Sequence, residues 1–291
     1  MKPPAFDYVR ASSVAEVLDL LADEEDVKIL AGGQSLLTMM NLRLARPRLL
    51  VDIMDLAELA RTFDDEDSML LGALVRQRTI ETDPLLGHRL PLAAEAIRHT
   101  GHVAIRNRGT IGGTLAHADP SGELPLIALV AGATLYLESR ERGRREVAAD
   151  DFFLSYYTAD VEPDEMVTWV RMPASAPNQG WGFVEHAQRH GEYGIAGAAT
   201  LVTVDSDGAV TAVRAGLLHA ADRPLLVSVD DDVVGRNPDE QAWRRVAREW
   251  VRAAEPVEDA DYVREVAADA LGTSLWQAHR RAQAPEGAGD E

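Results

Sequence analysis

Over the first sixty residues the hydrophobic positions follow two different periods. Val14, Val17, Leu18 and Leu21 recur at helical spacing. Ser13-Val14-Ala15-Glu16 ahead of them fits a capping box, in which a hydroxyl and a carboxylate satisfy orphan helix N–H groups. The short apolar run 27–30 reads as a buried strand that stops at Ala31-Gly32-Gly33-Gln34-Ser35, and 49–53 reads as the next strand. Residues 1–60 therefore predict a β/α unit. Further along, 69–75, 134–138 and 166–172 read as strands. Residues 92–97 predict a helix with Gly101 as its stop signal, and 125–130 a buried helix. The stretch 173–180, PASAPNQG, has linker composition. Beyond it, 200–204 and 209–215 flank Asp207-Gly208, a strong hairpin signal. Helices are expected at 239–253 and 259–281, and a disordered tail at 284–291. The pattern alone supports a mixed α and β chain, with a domain boundary in the linker.

Composition narrows the function more than the fold. With 291 residues and a 46% hydrophobic fraction the chain can bury a sizeable core. It has no cysteine. Disulfides, thiolate zinc sites and cysteine nucleophiles are thereby excluded, and any cysteine-bound iron–sulfur cluster must sit on a partner. The formal charge is −19, a field that repels nucleic acid. No stretch approaches 18 uncharged apolar residues, so no membrane span is expected. The N-terminus MKPPAFDYVR lacks the apolar run of a signal peptide, and a cytoplasmic location is expected.

Two glycine pairs stand out, Ala31-Gly32-Gly33-Gln34-Ser35 and Thr110-Ile111-Gly112-Gly113-Thr114. Each lies beside an apolar run and a hydroxyl residue. Glycine admits positive φ and close approach of a ligand to the backbone, and successive exposed N–H groups form an anion-binding nest. Two such loops brought together would hold a pyrophosphate from both sides, with the Ser35, Thr110 and Thr114 hydroxyls as further donors. No lysine is then needed, which suits a chain whose only lysines are Lys2 and Lys28. Taken singly, each pair reads equally as an ordinary tight turn. Neither continues as Gly-Lys-Ser/Thr, and neither matches G-x-G-x-x-G, so a P-loop and a Rossmann site are disfavoured.

AGGQSLLTMMNLRLARPRLLVDI resembles the first FAD loop, and IRNRGTIGGTLAHADPSGELP the second, of the flavoprotein subunits of molybdenum hydroxylases. This family includes the medium subunit of aerobic carbon monoxide dehydrogenase and the flavin domain of xanthine dehydrogenase. DFF at 151–153 and GEYGIAGAA at 191–199 extend the resemblance over nearly the whole chain. It implies an α+β fold: an FAD-binding region of the vanillyl-alcohol-oxidase/PCMH type at 1–175, two α/β subdomains split near 57, then a C-terminal antiparallel sheet with helices at 178–283. It also implies FAD in this chain, on Ala31, Gly32, Gly33, Gln34, Ser35, Leu36 and Thr110, Ile111, Gly112, Gly113, Thr114, with Leu36 and Leu37 packing beneath it.

The same resemblance puts Asp119 and Glu123 near the polar edge of the flavin or its ribityl chain, although relatives commonly carry aspartate at 123. It puts Met166 against the isoalloxazine ring and Tyr193 near its face. Glu185 falls where relatives often carry lysine; an anion there would disfavour reduced anionic flavin. Arg106 and Asn107 are left open between FAD contact, partner docking and ordinary surface roles. The implied partners are a large subunit with a molybdenum cofactor and a small subunit with [2Fe–2S] clusters, in a dimer of heterotrimers. The implied function is electron relay from those clusters through FAD to an external acceptor, in which no side chain of this chain need be a general acid or base. Two other classes stay open: a stand-alone FAD-dependent oxidoreductase, and a non-redox FAD-binding protein.

Competing constellations are thin. His99, His102 and His117 have no acidic pattern to complete a metal site, and His186 and His190 do not form H-E-x-x-H. There is no G-x-S-x-G elbow. Asp64-Asp65 and Asp230-Asp231-Asp232 read as solvated acidic turns.

Overall fold

The computed structural model describes residues 2–229, 233–256 and 259–284. The acidic run 230–232 and all of the expected tail except Ala284 lie outside the described residues. No described helix is long and apolar enough to cross a membrane.

The chain opens with a three-stranded parallel sheet, β1 (Asp7–Arg10), β2 (Val27–Leu30) and β3 (Leu49–Asp52), in the order β1-β3-β2. The helix Val14–Asp23 links β1 to β2, capped by Ser13, whose hydroxyl accepts from the Glu16 amide. The Glu16 carboxylate reaches back to the Ser12 amide at 2.8 Å, so the expected box closes one residue early. Val17, Leu18 and Leu21 are buried against β3 residues Leu49 and Val51, as their spacing predicts.

Next come β4 (Thr62–Asp65), β5 (Ser68–Gly72), β6 (Thr134–Ser139) and β7 (Gly143–Ala148). A small hairpin of β8 (Phe153–Ser155) and β9 (Thr158–Ala159) precedes β10 (Glu165–Pro173). β10 becomes the centre of an antiparallel sheet ordered β4-β5-β10-β6-β7. Helices Pro91–Ala96 and Glu123–Ala131 bury one face of it through Leu92, Ala96, Leu126, Val130 and their neighbours.

The last sheet is β11 (Gln179–Ala187), β12 (Gly194–Val204), β13 (Val210–Leu218) and β14 (Leu225–Leu226), in that order. Asp205 builds the turn between β12 and β13 by accepting the Asp207 and Ala209 amides, each at 2.9 Å. The 24-residue helix Ala260–Gln283 lies flat on β11 and β12. Gly180 and Gly182 permit this: a Cβ on either would overlap a helix carbonyl oxygen, that of Ala278 or Ser274. Leu218, Ala199 and Phe183 of this sheet join the core of the central one.

Most long apolar runs became the elements expected. The helix Ile111–His117 is a departure, because its first turn contains the second glycine pair.

Candidate functional site

A cleft of about 1600 Å³ runs between the parallel sheet and the central sheet. That exceeds the roughly 300–1,000 Å³ usual for small-molecule pockets and leaves room for a dinucleotide. It is lined by Ala31, Gly32, Gly33, Gln34, Ser35 and Leu36 on one wall and by Thr110, Gly112, Gly113 and Thr114 on the other. Asp119, Glu123, Met166 and Tyr193 line it too.

The two glycine segments, nearly eighty positions apart in sequence, meet directly. A Cβ on Gly32 would overlap the Arg108 carbonyl oxygen and lie 2.9 Å from the Gly109 Cα. A Cβ on Gly113 would lie 3.6 Å from the Ala31 Cβ. They are chemically unlike, however. Among the described residues, no protein acceptor takes the amide hydrogens of Gly32, Gly33, Gln34 or Ser35. Gly33 has φ +74°, which turns this run of amides into a concave bend. The Gln34 side chain folds back onto the Gly32 carbonyl at 3.1 Å.

In the second segment every amide from Ile111 to Thr114 is already bonded. Ile111 donates to Val75 and Gly112 to Ala73, each at 2.9 Å. Gly113 donates to the Thr110 hydroxyl at 3.2 Å, the N-cap bond of the helix, and Thr114 to the Thr110 carbonyl at 3.0 Å. The second segment thus folds as a capped helix start whose amides have protein acceptors, unlike those of 32–35, while Thr110, Gly112, Gly113 and Thr114 stay in the cleft lining. Its hydroxyls are engaged as well: Thr114 gives its proton to the Thr110 carbonyl at 3.0 Å and accepts from Gln77 at 2.9 Å. The Ser35 hydroxyl, by contrast, makes no cap bond.

Other expected positions divide clearly. Ile111 is fully buried in the central core and does not face the cleft. Leu36 lines the cleft, whereas Leu37 is 39% exposed and packs near Gly33. Asp119 is buried and caps its own turn, accepting from the Ser121 amide at 2.9 Å. Met166 is buried with the N-terminal core and touches the cleft. Tyr193 stands on the rim, 73% exposed. Arg106 takes none of the roles left open for it. It is buried, paired with Glu81 at 2.8 Å, and donates to the carbonyls of Thr100 and Gly101, so it pins the turn that forms part of the cleft lining. Asn107 is exposed.

Glu185 does not line the cleft; its side chain is 4% exposed, behind Gly194. Burial, then the neighbouring charge of Glu123, push its carboxyl up to about 8. It is thus mostly uncharged at neutral pH, and the anionic neighbour expected from the sequence is absent there. Glu123, the first residue of its helix, is also buried and is pushed up to about 7 by burial. It accepts from the Thr100 hydroxyl at 2.7 Å. At another part of the lining Glu165 is held down to about 2, chiefly by Arg145, whose guanidinium spans both of its oxygens at 2.8 Å.

Sequence reasoning missed Gln77. Its side chain is buried at the cleft wall, bonded to Thr114, with its amide oxygen unpartnered. Nothing in the sequence flags a lone glutamine thirty-seven positions from its partner.

These residues fit an FAD dinucleotide. Eight acidic residues line the cleft, Glu24, Glu25, Asp26, Asp119, Glu123, Glu162, Glu165 and Glu192, and Lys28 is the one lysine or arginine among the described lining residues. With so little positive charge in the lining, an anionic diphosphate there would need backbone amides, and the run 32–35 has amides without protein acceptors among the described residues.

Residues 4–175 match the family described as the FAD binding domain in molybdopterin dehydrogenase. The chain belongs to that family. It is an FAD-binding medium subunit of the molybdenum-hydroxylase oxidoreductases. The medium chain of carbon monoxide dehydrogenase from Hydrogenophaga pseudoflava is 34% identical to it, over 97% of this chain and 99% of the relative. The subunit alpha of the 6-hydroxypseudooxynicotine dehydrogenase complex of Paenarthrobacter nicotinovorans is 41% identical, over 75% of this chain and 74% of the relative. Among solved structures, quinoline 2-oxidoreductase from Pseudomonas putida 86 superposes with a TM-score of 0.93 at 34% identity, covering 98% of this chain and 100% of that one.

Proposed function

We propose that this medium subunit holds FAD with its diphosphate on the amides of Gly32, Gly33, Gln34 and Ser35. The opposing segment at 110–114 closes the cleft as a rigid wall. The bare amide run inside an acidic cleft is the observation that carries this reading. In it Met166 packs against the ring system, and Asp119 and Glu123 lie at its polar edge. Tyr193 covers it from the rim. The layout is then of the vanillyl-alcohol-oxidase/PCMH type, with the FAD-binding region at 1–175, its two subdomains split near 57, and the C-terminal unit at 178–283.

Bound FAD supplies one- and two-electron chemistry; this chain supplies binding, orientation and electrostatics. The chain works as a relay. A small subunit delivers electrons from [2Fe–2S] clusters, a large subunit carries the molybdenum cofactor and the substrate, and an external acceptor takes the electrons from FAD. The relatives support this, being named as chains or subunits of dehydrogenases. The heterotrimer pairs into a dimer.

Purification from the native host tests it. The expected result is one FAD per chain, with iron and molybdenum in two further co-purifying subunits. A chain that purifies alone and reduces a small molecule directly overturns the relay. A chain that stays colourless with added FAD overturns the cleft assignment as well.

A further inference from the structure

Two carboxyl side chains are buried at or behind one end of the cleft, and among the described residues neither has a lysine or arginine ion pair. Glu123 lines it, and one of its oxygens is held by the Thr100 hydroxyl at 2.7 Å. Glu185 lies behind the wall on β11, its head under the Gly194 Cα and its Oε2 without a hydrogen-bond partner. The His99 ring nitrogen lies 3.9 Å from that oxygen. Burial lowers the pKa of His99, and its ring stacks on His190 at 6.0 Å, so it brings little positive charge. The other charged or titratable groups acting here are Asp119, Arg106 and Tyr193 on Glu123, and Glu95 and Arg98 on His99. Arg106 is already spent on Glu81. A buried carboxyl without a counter-charge or a full set of donors keeps its proton.

We propose that Glu123 and Glu185 form a proton-holding pair that serves the flavin end of the cleft, Glu123 as the donor to the bound ring and Glu185 as its reserve. The inference rests on FAD occupying this cleft. As two electrons arrive from a one-electron donor, the Glu123 O–H bond breaks, its proton passes to a ring nitrogen, and Glu123 is left a carboxylate. Glu185, 3.9 Å from His99, the chain neighbour of the Thr100 that holds Glu123, returns a proton to it, and Glu185 regains one from water. The two carboxyls titrate near 7 and 8, the range in which a group gives and takes protons most effectively at neutral pH. Because they interact, the protons leave in two steps that belong to the pair.

Infrared spectroscopy of the full-length chain, freed of FAD and titrated from pH 6 to pH 9, tests the pair. The expected result is a protonated-carboxyl C=O stretch at pH 6 that disappears in two steps; Glu123→Gln and Glu185→Gln each leave one. Absence of that band in the wild type at pH 6 overturns the pair, whatever the variants do. In the FAD-loaded chain, reduction by a soluble one-electron donor should slow about tenfold from pH 6 to pH 9. Glu123→Gln should be slow and pH-independent, and Glu185→Gln should show one ionisation in place of two. Wild-type pH dependence retained in Glu123→Gln overturns the donor role. Failure of the wild type to take up FAD is a separate result, and it overturns the function proposed above, not the infrared-detected pair.

Discussion

The two glycine segments share a sequence signature and have opposite hydrogen-bond economies. The run 32–35 leaves its amides bare, bent by the positive φ of Gly33. The run 111–114 spends all of its amides on Val75, Ala73 and Thr110. Glycine is required in both, for different reasons. Gly32 admits the backbone of Arg108 and Gly109, and Gly112 admits Ala73, whose Cα would lie 2.9 Å from an added Cβ. Under the function proposed above, the first segment is the ligand cradle and the second is packing that faces it. A Gly-Gly pair shows only that something approaches the backbone closely; at Gly32 it is the loop backbone of Arg108 and Gly109, and at Gly112 it is Ala73.

Substituting Gly112 should have the largest effect. Gly112→Val places its branched side chain into Ala73 where the core is closed, and overpacking of this kind costs about 3 kcal/mol. Urea unfolding should show that loss, and FAD should be lost with the fold of this region. A stable Gly112→Val chain that merely fails to bind FAD would mean that Gly112, too, meets the ligand. Gly33→Ala sharpens the contrast. A non-glycine residue at φ +74° costs about 1 kcal/mol, and the added methyl meets only the flexible Leu37 and Leu30 side chains. Its FAD affinity, measured by quenching of flavin fluorescence, should nonetheless fall at least tenfold, because the bend that aligns the amides is disturbed. Equal losses of affinity and stability would remove the distinction between the segments.

The difference between the segments was not legible in the sequence, although most of the fold was. Val27–Leu30, Leu49–Asp52 and Thr134–Ser139 are apolar runs that stand out because both flanks are polar or turn-forming. Strand β1, DYVR, escaped notice because it is an edge strand with mostly exposed side chains, held by pairing to β3. The helix Ile111–His117 escaped because glycine disfavours helix; Thr110 capping and the burial of Ile111 and Leu115 override that preference. The acceptors for Ile111 and Gly112 lie more than thirty residues away, so no local pattern announces them. Glu185 is a similar case. Its residue type suggests a charge, and only its burial beside Glu123, sixty-two positions distant, keeps it protonated.

The smallest effects come from the hydroxyls, and they form the cleanest test. Ser35 follows the first glycine pair and Thr110 precedes the second, and each stands immediately before a helix. Thr110 caps its helix by accepting the Gly113 amide, so Thr110→Ala should cost about 1 kcal/mol of stability and little FAD affinity beyond that. Ser35 makes no cap bond and is exposed on the wall with the bare amides. Ser35→Ala should leave urea stability unchanged to within about 0.5 kcal/mol, as expected for an exposed position. Its FAD affinity should weaken about five-fold, near the net worth of one hydrogen bond. The two variants thus separate a hydroxyl that holds protein from one that faces ligand. If Ser35→Ala binds FAD as the wild type does and Thr110→Ala does not, the diphosphate lies on the second segment, and the assignment of cradle and wall must be exchanged.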